Sequence, residues 1–308
     1  MFPTTGRKRP RRTRAGGTAA GRMPVDRTGA KARDAAVQGT RRTGILLGGM
    51  RYVSFGTGRP LVVLPGLIAD HELPGVMDRR FQRRYLGPFA RSHSVWWLGR
   101  RPGPTPSATM AGIALDYADA LRLAFPGPVD VMGISGGGSV ALQLAVDHPD
   151  VVRRLVVVSA AYRLGPEGRR AVRRGARALQ SGRIRKAAAA EFGRLGATRL
   201  TGVFFRLVGW VLGGFLYGQA VPDRLATMRA AEAFDLQDRL SEIEAPTLLV
   251  GGERDGFYSA DLFRGTAARI PHGRLVLYPG KGHALVARDR RLAVDVLDFL
   301  DGPGPGGR

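Results

Sequence analysis

The sequence predicts an α/β protein: a mostly parallel sheet with helices on both faces, and a helical insertion between two stretches of that sheet. Three observations carry this. Short apolar runs ending in Gly or Pro alternate with segments of helical periodicity from about residue 44 to residue 162. The same alternation returns near residue 245 and runs to the end of the chain. Between them, residues 163–238 show only helical and loop character. Strand alternating with helix implies parallel strands joined by crossover helices, which cover both faces of the sheet. The predicted organisation is therefore a tail over 1–43, core over 44–162, a helical cap or lid over 163–238, and core again over 239–308.

The elements follow in order. Residues 1–43 hold few branched apolar or aromatic side chains. They bury too little apolar area to offset chain entropy, so disorder is expected. Arg11-Arg12 is not followed by an apolar run, so no secretory signal is expected and the expected compartment is the cytoplasm, with peripheral membrane contact as the variant. ILLGGMRYVSFGTG reads as two strands joined at Gly48-Gly49. RPLVVLPGL and HSVWWLGRRPGP read as strands, the first a continuous apolar run of the kind buried on both faces. Met110, Ile113, Ala114, Tyr117, Leu121 and Phe125 recur at helical intervals. PVDVMGIS is a strand, GGGSVALQLAVDHPD a helix and VVRRLVVVSA the next strand. After the insertion come APTLLVGG (strand), SADLFRGTAARIP (helix), GRLVLYPG (strand) and RDRRLAVDVLDFL (helix).

The charge is uneven. The chain of 308 residues carries a net +23. Residues 1–43 hold 12 Lys/Arg against Asp26 and Asp34, and residues 163–200 hold 11 against Glu167 and Glu191. A basic tail and a basic helical segment are suited to weak contact with anionic surfaces; specific nucleic-acid recognition is not expected. There is no cysteine, which excludes disulfides, thiolate metal sites and a cysteine nucleophile. Residues 200–220, LTGVFFRLVGWVLGGFLYGQA, form the most hydrophobic stretch, interrupted by Arg206 and by Gly209, Gly213 and Gly214. A cap helix whose apolar face lines a substrate pocket is the expectation, ahead of an interfacial helix or a membrane span.

The chemistry centres on Gly133-Ile134-Ser135-Gly136-Gly137, which directly follows a strand and directly precedes a helix. A Gly-x-Ser-x-Gly string is weak alone. Strand, sharp turn and helix in that order make it a nucleophile elbow: the Ser takes a strained backbone conformation above the sheet edge, and its neighbours must be small. A Ser hydroxyl needs an adjacent base. Of His71, His93, His148, His272 and His283, only His283 follows a late strand on the edge where the elbow opens. His71 is a pocket-lining candidate, His148 ends a helix pointing away, His272 sits in a turn and His93 lies at the opposite edge. An imidazole in turn needs an orienting carboxylate. Asp255 follows the strand APTLLVGG, with Glu253 and Asp261 as rivals. Two backbone amides should hold the oxyanion: that of Gly136, and one from the loop after VVLPGL, assigned to Leu67 with Ile68 as its alternative. The order Ser135, Asp255, His283 is the Ser–acid–His order of one hydrolase architecture.

On these motifs, residues 44–301 resemble the α/β-hydrolase superfamily, in its esterase, lipase and haloperoxidase-like group. The resemblance implies an eight-stranded, mostly parallel sheet, a Ser-His-Asp triad, a cap and no organic cofactor. Three positions depart from the pattern: Pro65-Gly66 stands where His-Gly is usual, Ser259 where Pro often follows the acid by four residues, and Gly99-Arg100-Arg101-Pro102-Gly103 where Asp-x-x-Gly is common. A Ser at the elbow argues against the branches that use a carboxylate nucleophile. The expected activity is hydrolysis of a carboxylic ester with an apolar acyl group by a serine hydrolase, the partner being a small molecule. A C–C bond hydrolase or lactonase using the same triad, and a non-catalytic ligand-binding protein on the same scaffold, are the alternatives.

Overall fold

A computed structural model describes residues 41–66, 84–103, 108–217 and 221–303, all within the unit Val37–Arg308. The expected disordered tail, but for its last residues, lies outside the described residues. Order begins slightly earlier than the sequence suggests: β1 spans Arg42–Ile45 and pairs antiparallel with β2 (Arg51–Phe55), Arg42 facing Ser54. The turn between them uses Gly48 and Gly49 at φ 69° and 82°, a region that glycine enters without steric cost.

The remaining strands are β3 (Arg59–Leu64), β4 (His93–Leu98), β5 (Val129–Ile134), β6 (Val152–Val158), β7 (Thr247–Gly252) and β8 (Gly273–Tyr278). They form one eight-stranded sheet in the order β1-β2-β4-β3-β5-β6-β7-β8. Only the β1–β2 and β2–β4 pairings are antiparallel; β4-β3-β5-β6-β7-β8 are parallel throughout. The chain leaves β3 toward β4 on one side and returns past it to β5 on the other. Ligand sites in such sheets lie beyond the carboxyl ends of strands beside this reversal.

The apolar runs are continuous because both faces are covered. On one face Val62, Leu64, Val131, Leu155, Val157 and Leu249 pack in a common core with helices α1 (Met110–Ala124), α2 (Gly136–Asp147) and α7 (Ala260–Arg269). On the other, Leu61, Val63, Met132, Val156, Leu248 and Val250 pack with α9 (Arg291–Asp301). Helix α1 buries Met110, Ile113, Ala114, Tyr117 and Leu121 as their spacing requires, and the Thr109 side chain caps its start by accepting from the Gly112 amide at 3.1 Å.

Between β6 and β7 the chain runs through α3 (Pro166–Gln180), α4 (Ile184–Phe192), α5 (Arg199–Tyr217) and α6 (Val221–Ala233). The stem of this insertion is closed by an antiparallel bridge between Arg163 and Asp235, reinforced by their ion pair. A buried bidentate ion pair ties it to the loop after β4: Arg100 donates to both carboxylate oxygens of Asp223. Helix α5 contradicts one expectation. But for the buried Tyr217, its large apolar side chains mostly face solvent and line no pocket, with Leu200 and Phe215 both 84% exposed. Gly209 and Gly213 face α4 instead, because the absence of a side chain there lets the two backbones approach. A Cβ at Gly209 would fall 2.7 Å from the Phe192 Cβ. Among the described residues no helix is long and apolar enough to cross a membrane.

Candidate active site

Ser135 stands between β5 and α2 with φ 55° and ψ −125°. A non-glycine residue held there carries roughly 1–3 kcal/mol of strain, sustained by its surroundings. Those surroundings are specific. The Ser135 amide donates to the Val158 carbonyl at 2.8 Å. A Cβ at Gly133 would meet the Gly137 carbonyl and the Gly138 Cα, and one at Gly137 would land on the carbonyl oxygens of Leu64 and Pro65. The small neighbours expected at the elbow are thus required by close approach of the backbone, and neither of these glycines has a positive φ.

His283 opens the single-turn helix α8 (His283–Val286), after β8. Its Nε2 lies 2.8 Å from Ser135 Oγ, and its Nδ1 lies 2.8 Å from Asp255 Oδ2. The Asp255 side chain is fully enclosed and that of His283 is 7% exposed. A carboxylate only accepts, so Nδ1 carries the proton and donates to Asp255; Nε2 is left to accept from the Ser135 hydroxyl. The other oxygen of Asp255 accepts from the amides of Phe257 at 2.8 Å and Tyr258 at 3.1 Å. Those two rings flank the imidazole, with centroids at 4.8 and 6.1 Å. Burial pushes the Tyr258 phenol well above its usual range, so it stays neutral.

The rival groups sit elsewhere. Glu253 accepts from the Gly280 amide at 3.3 Å at an exposed position, and Asp261 pairs with Arg264 on the surface. His93 starts β4 at the opposite edge, beside Ser92 and Asp301; its burial lowers its pKa. His148 caps the far end of α2, and His272 is exposed. His71, Leu67 and Ile68 lie outside the described residues. Gly66, the last described residue after β3, lies beside the serine: a Cβ there would be 3.6 Å from that of Ser135. Gly136 is the first residue of α2, where an amide has no acceptor within the helix and the helix dipole favours negative charge. Among the described residues no cluster of His, Asp or Glu could hold a metal ion.

The contact of the insertion with this edge was not visible in the sequence. The α4–α5 connection packs directly on the loops that carry Asp255 and His283. The Arg194 carbonyl fills the space a side chain at Gly256 would need, and Gly196 and Ala197 do the same at Gly282. The Ala284 amide donates to the Leu195 carbonyl at 3.3 Å. Glycine next to both Asp255 and His283 was the available signal of a backbone passing close by.

The chain is similar to known proteins. A Klebsiella pneumoniae protein named for carbamate hydrolysis, RutD, is 29% identical over 196 residues, covering 62% of this chain and 73% of its own. A pimeloyl-[acyl-carrier protein] methyl ester esterase of Nitrosomonas europaea is 28% identical over 245 residues, covering 74% of this chain and 90% of its own. In structure, the α/β hydrolase MGS-M2 from a Medee basin deep-sea metagenome superposes with a TM-score of 0.72 at 18% identity, over 84% of this chain and 96% of its own; at that identity the likeness is one of fold. The model of the alpha/beta hydrolase family matches residues 61–296, which include Ser135, Asp255 and His283, and the chain belongs to that family.

Proposed function

We propose that the protein is a serine hydrolase that cleaves carboxylic esters through an acyl-enzyme. The observation that carries this is the unbroken relay Ser135 Oγ–His283 Nε2 and His283 Nδ1–Asp255 Oδ2, at 2.8 Å in both steps. These distances are those of a nucleophile within reach of its base and a base held by its carboxylate. His283 Nε2 takes the hydroxyl proton as Ser135 Oγ bonds to the ester carbonyl carbon, and Asp255 stabilises the imidazolium. The developing oxyanion is held by the Gly136 amide and by a second amide, assigned to Leu67. Collapse breaks the acyl–oxygen bond, and the leaving alcohol takes its proton from His283. Water then attacks the acyl-Ser135 carbonyl with the same proton shuttle, releasing the acid and restoring the hydroxyl.

Two further points support the reading. The two sequence relatives are named for hydrolysis of a carbamate and of a methyl ester, both carbonyl carbons bearing a heteroatom leaving group. The apolar acyl group expected for the substrate is supported by the aromatic rings of Phe257 and Tyr258 beside the imidazole, and the exposed apolar side chains of α5 add nothing to it. The test is hydrolysis of p-nitrophenyl esters of increasing acyl length, with labelling by a fluorophosphonate. Turnover and labelling are expected in the native chain, and both should be lost in Ser135→Ala, with kcat falling at least roughly a thousandfold. A folded native chain that neither turns over nor labels would sink the proposal.

A further inference from the structure

Helix α5 has its amphipathy inverted for a helix in water. Gly209 and Gly213 lie against α4, while Leu200, Phe204, Leu207, Val211 and Phe215 follow one another at steps of three and four residues on the outer side. These five are 56–84% exposed. At 1.5 Å per residue the stripe from Leu200 to Phe215 runs about 22 Å along this 19-residue helix. Contiguous apolar surface of this kind marks a face that meets another apolar phase.

The surroundings of the stripe say which phase. From Gly168 to Pro222 the only acidic residue is Glu191, and it is buried. Arg183, Arg185, Lys186, Arg199 and Arg206 are exposed on α4, on α5 and ahead of them, and among the described residues none has a carboxylate within ion-pair distance. Arg185 stands with its guanidinium 5.1 Å from the ring centroid of Trp210, an exposed aromatic on α5. The cationic rim therefore touches the edge of the apolar stripe. An apolar helical face, cations along its border and an aromatic at the boundary are the elements of an interfacial helix that lies in the plane of a bilayer. A second copy of the chain is a poor occupant, because a two-fold contact would set this rim against itself.

We infer that the outer face of α5 docks on an anionic lipid surface, with Leu200, Phe204, Leu207, Val211 and Phe215 among the acyl chains and the arginines at the phosphates. The inference does not rest on ester hydrolysis. It is tested with the full chain, sedimented with phosphatidylcholine vesicles and with vesicles containing phosphatidylglycerol. Binding is expected on the anionic vesicles and falls as salt rises. Phe204→Glu/Leu207→Glu lowers it by roughly a hundredfold or more, and Arg199→Gln/Arg206→Gln lowers it by about fivefold for each charge removed. Both variants keep the native melting temperature, because Phe204 and Leu207 are more than half exposed and Arg199 and Arg206 lie on the surface without an ion-pair partner among the described residues. Both leave the basic tail intact, so the loss is assigned to α5. Trp210 emission shifts to the blue on the vesicles, and the shift is absent in Trp210→Phe. Equal binding to neutral and anionic vesicles, or binding unchanged by the glutamate pair, overturns the inference. So does a dimer in solution that the glutamate pair dissolves in a chain that binds no vesicle; that result assigns the face to a second copy.

Discussion

Replacing Asp255 by Asn tests the proposed relay most directly, because the surrounding hydrogen bonds dictate how the amide must sit. One carboxylate oxygen of Asp255 accepts from the amides of Phe257 and Tyr258, and the other faces His283 Nδ1. In Asp255→Asn the carbonyl oxygen stays with the two amides. The flipped rotamer would set an NH2 against two buried N–H groups, at about 1–3 kcal/mol for each donor left unsatisfied. The NH2 therefore faces Nδ1, which must accept, and the ring proton moves to Nε2. Nε2–H then faces Ser135 Oγ, 2.8 Å away, where it cannot take the hydroxyl proton. Loss of the carboxylate also removes the charge that stabilises the imidazolium. Where a triad Asp→Asn has been made in another serine hydrolase the loss is about 10⁴-fold in kcat, or about 5 kcal/mol of transition-state stabilisation. The assay is kcat on a p-nitrophenyl ester across pH, with circular dichroism and thermal unfolding to establish that the variant is folded. A folded Asp255→Asn that keeps more than about a tenth of the native kcat would refute the tautomer argument and the role assigned to Asp255.

Two other outcomes follow from the packing. In Gly137→Ala the new Cβ meets the Leu64 and Pro65 carbonyls, so β3 and the elbow must separate; the expected loss is about 3 kcal/mol of stability, read from the urea midpoint. Burial raises the Glu191 carboxyl from 4.5 to about 7, opposed by the Arg224 charge and the Tyr217 hydroxyl. The folded form thus holds this proton after the unfolded chain has released it. The stability that Glu191 contributes is greatest below 4.5, falls as pH rises to about 7 and is level above that. The pH-linked part is on the order of 3 kcal/mol and should be absent from Glu191→Gln in unfolding titrations across that range.

The order of α and β elements was legible because both faces of the sheet are covered. Runs such as Leu61–Leu64 carry no polar alternation, and α1 shows its buried stripe at helical spacing. Ser135, Asp255 and His283 were legible for a topological reason. Each follows a parallel strand, and parallel strands present their carboxyl ends at one edge. Two features resisted. The direction of the α5 face depends on which side of the helix meets α4, and hydrophobicity alone assigns the apolar side inward. Glycines chose the contact here, through close backbone approach. The passage of residues 194–197 over Gly256 and Gly282 joins segments far apart in sequence, which no local pattern encodes.

The sequence by itself determined the fold class, the elbow and the three residues of the relay, since strand periodicity, turn chemistry and chain order are local properties. Tertiary structure decided the 2.8 Å contacts, the hydrogen bonds that orient Asp255, the burial that raises Glu191 and the outward turn of α5. Those depend on which surfaces exclude water from one another, and that is settled only when the whole chain packs.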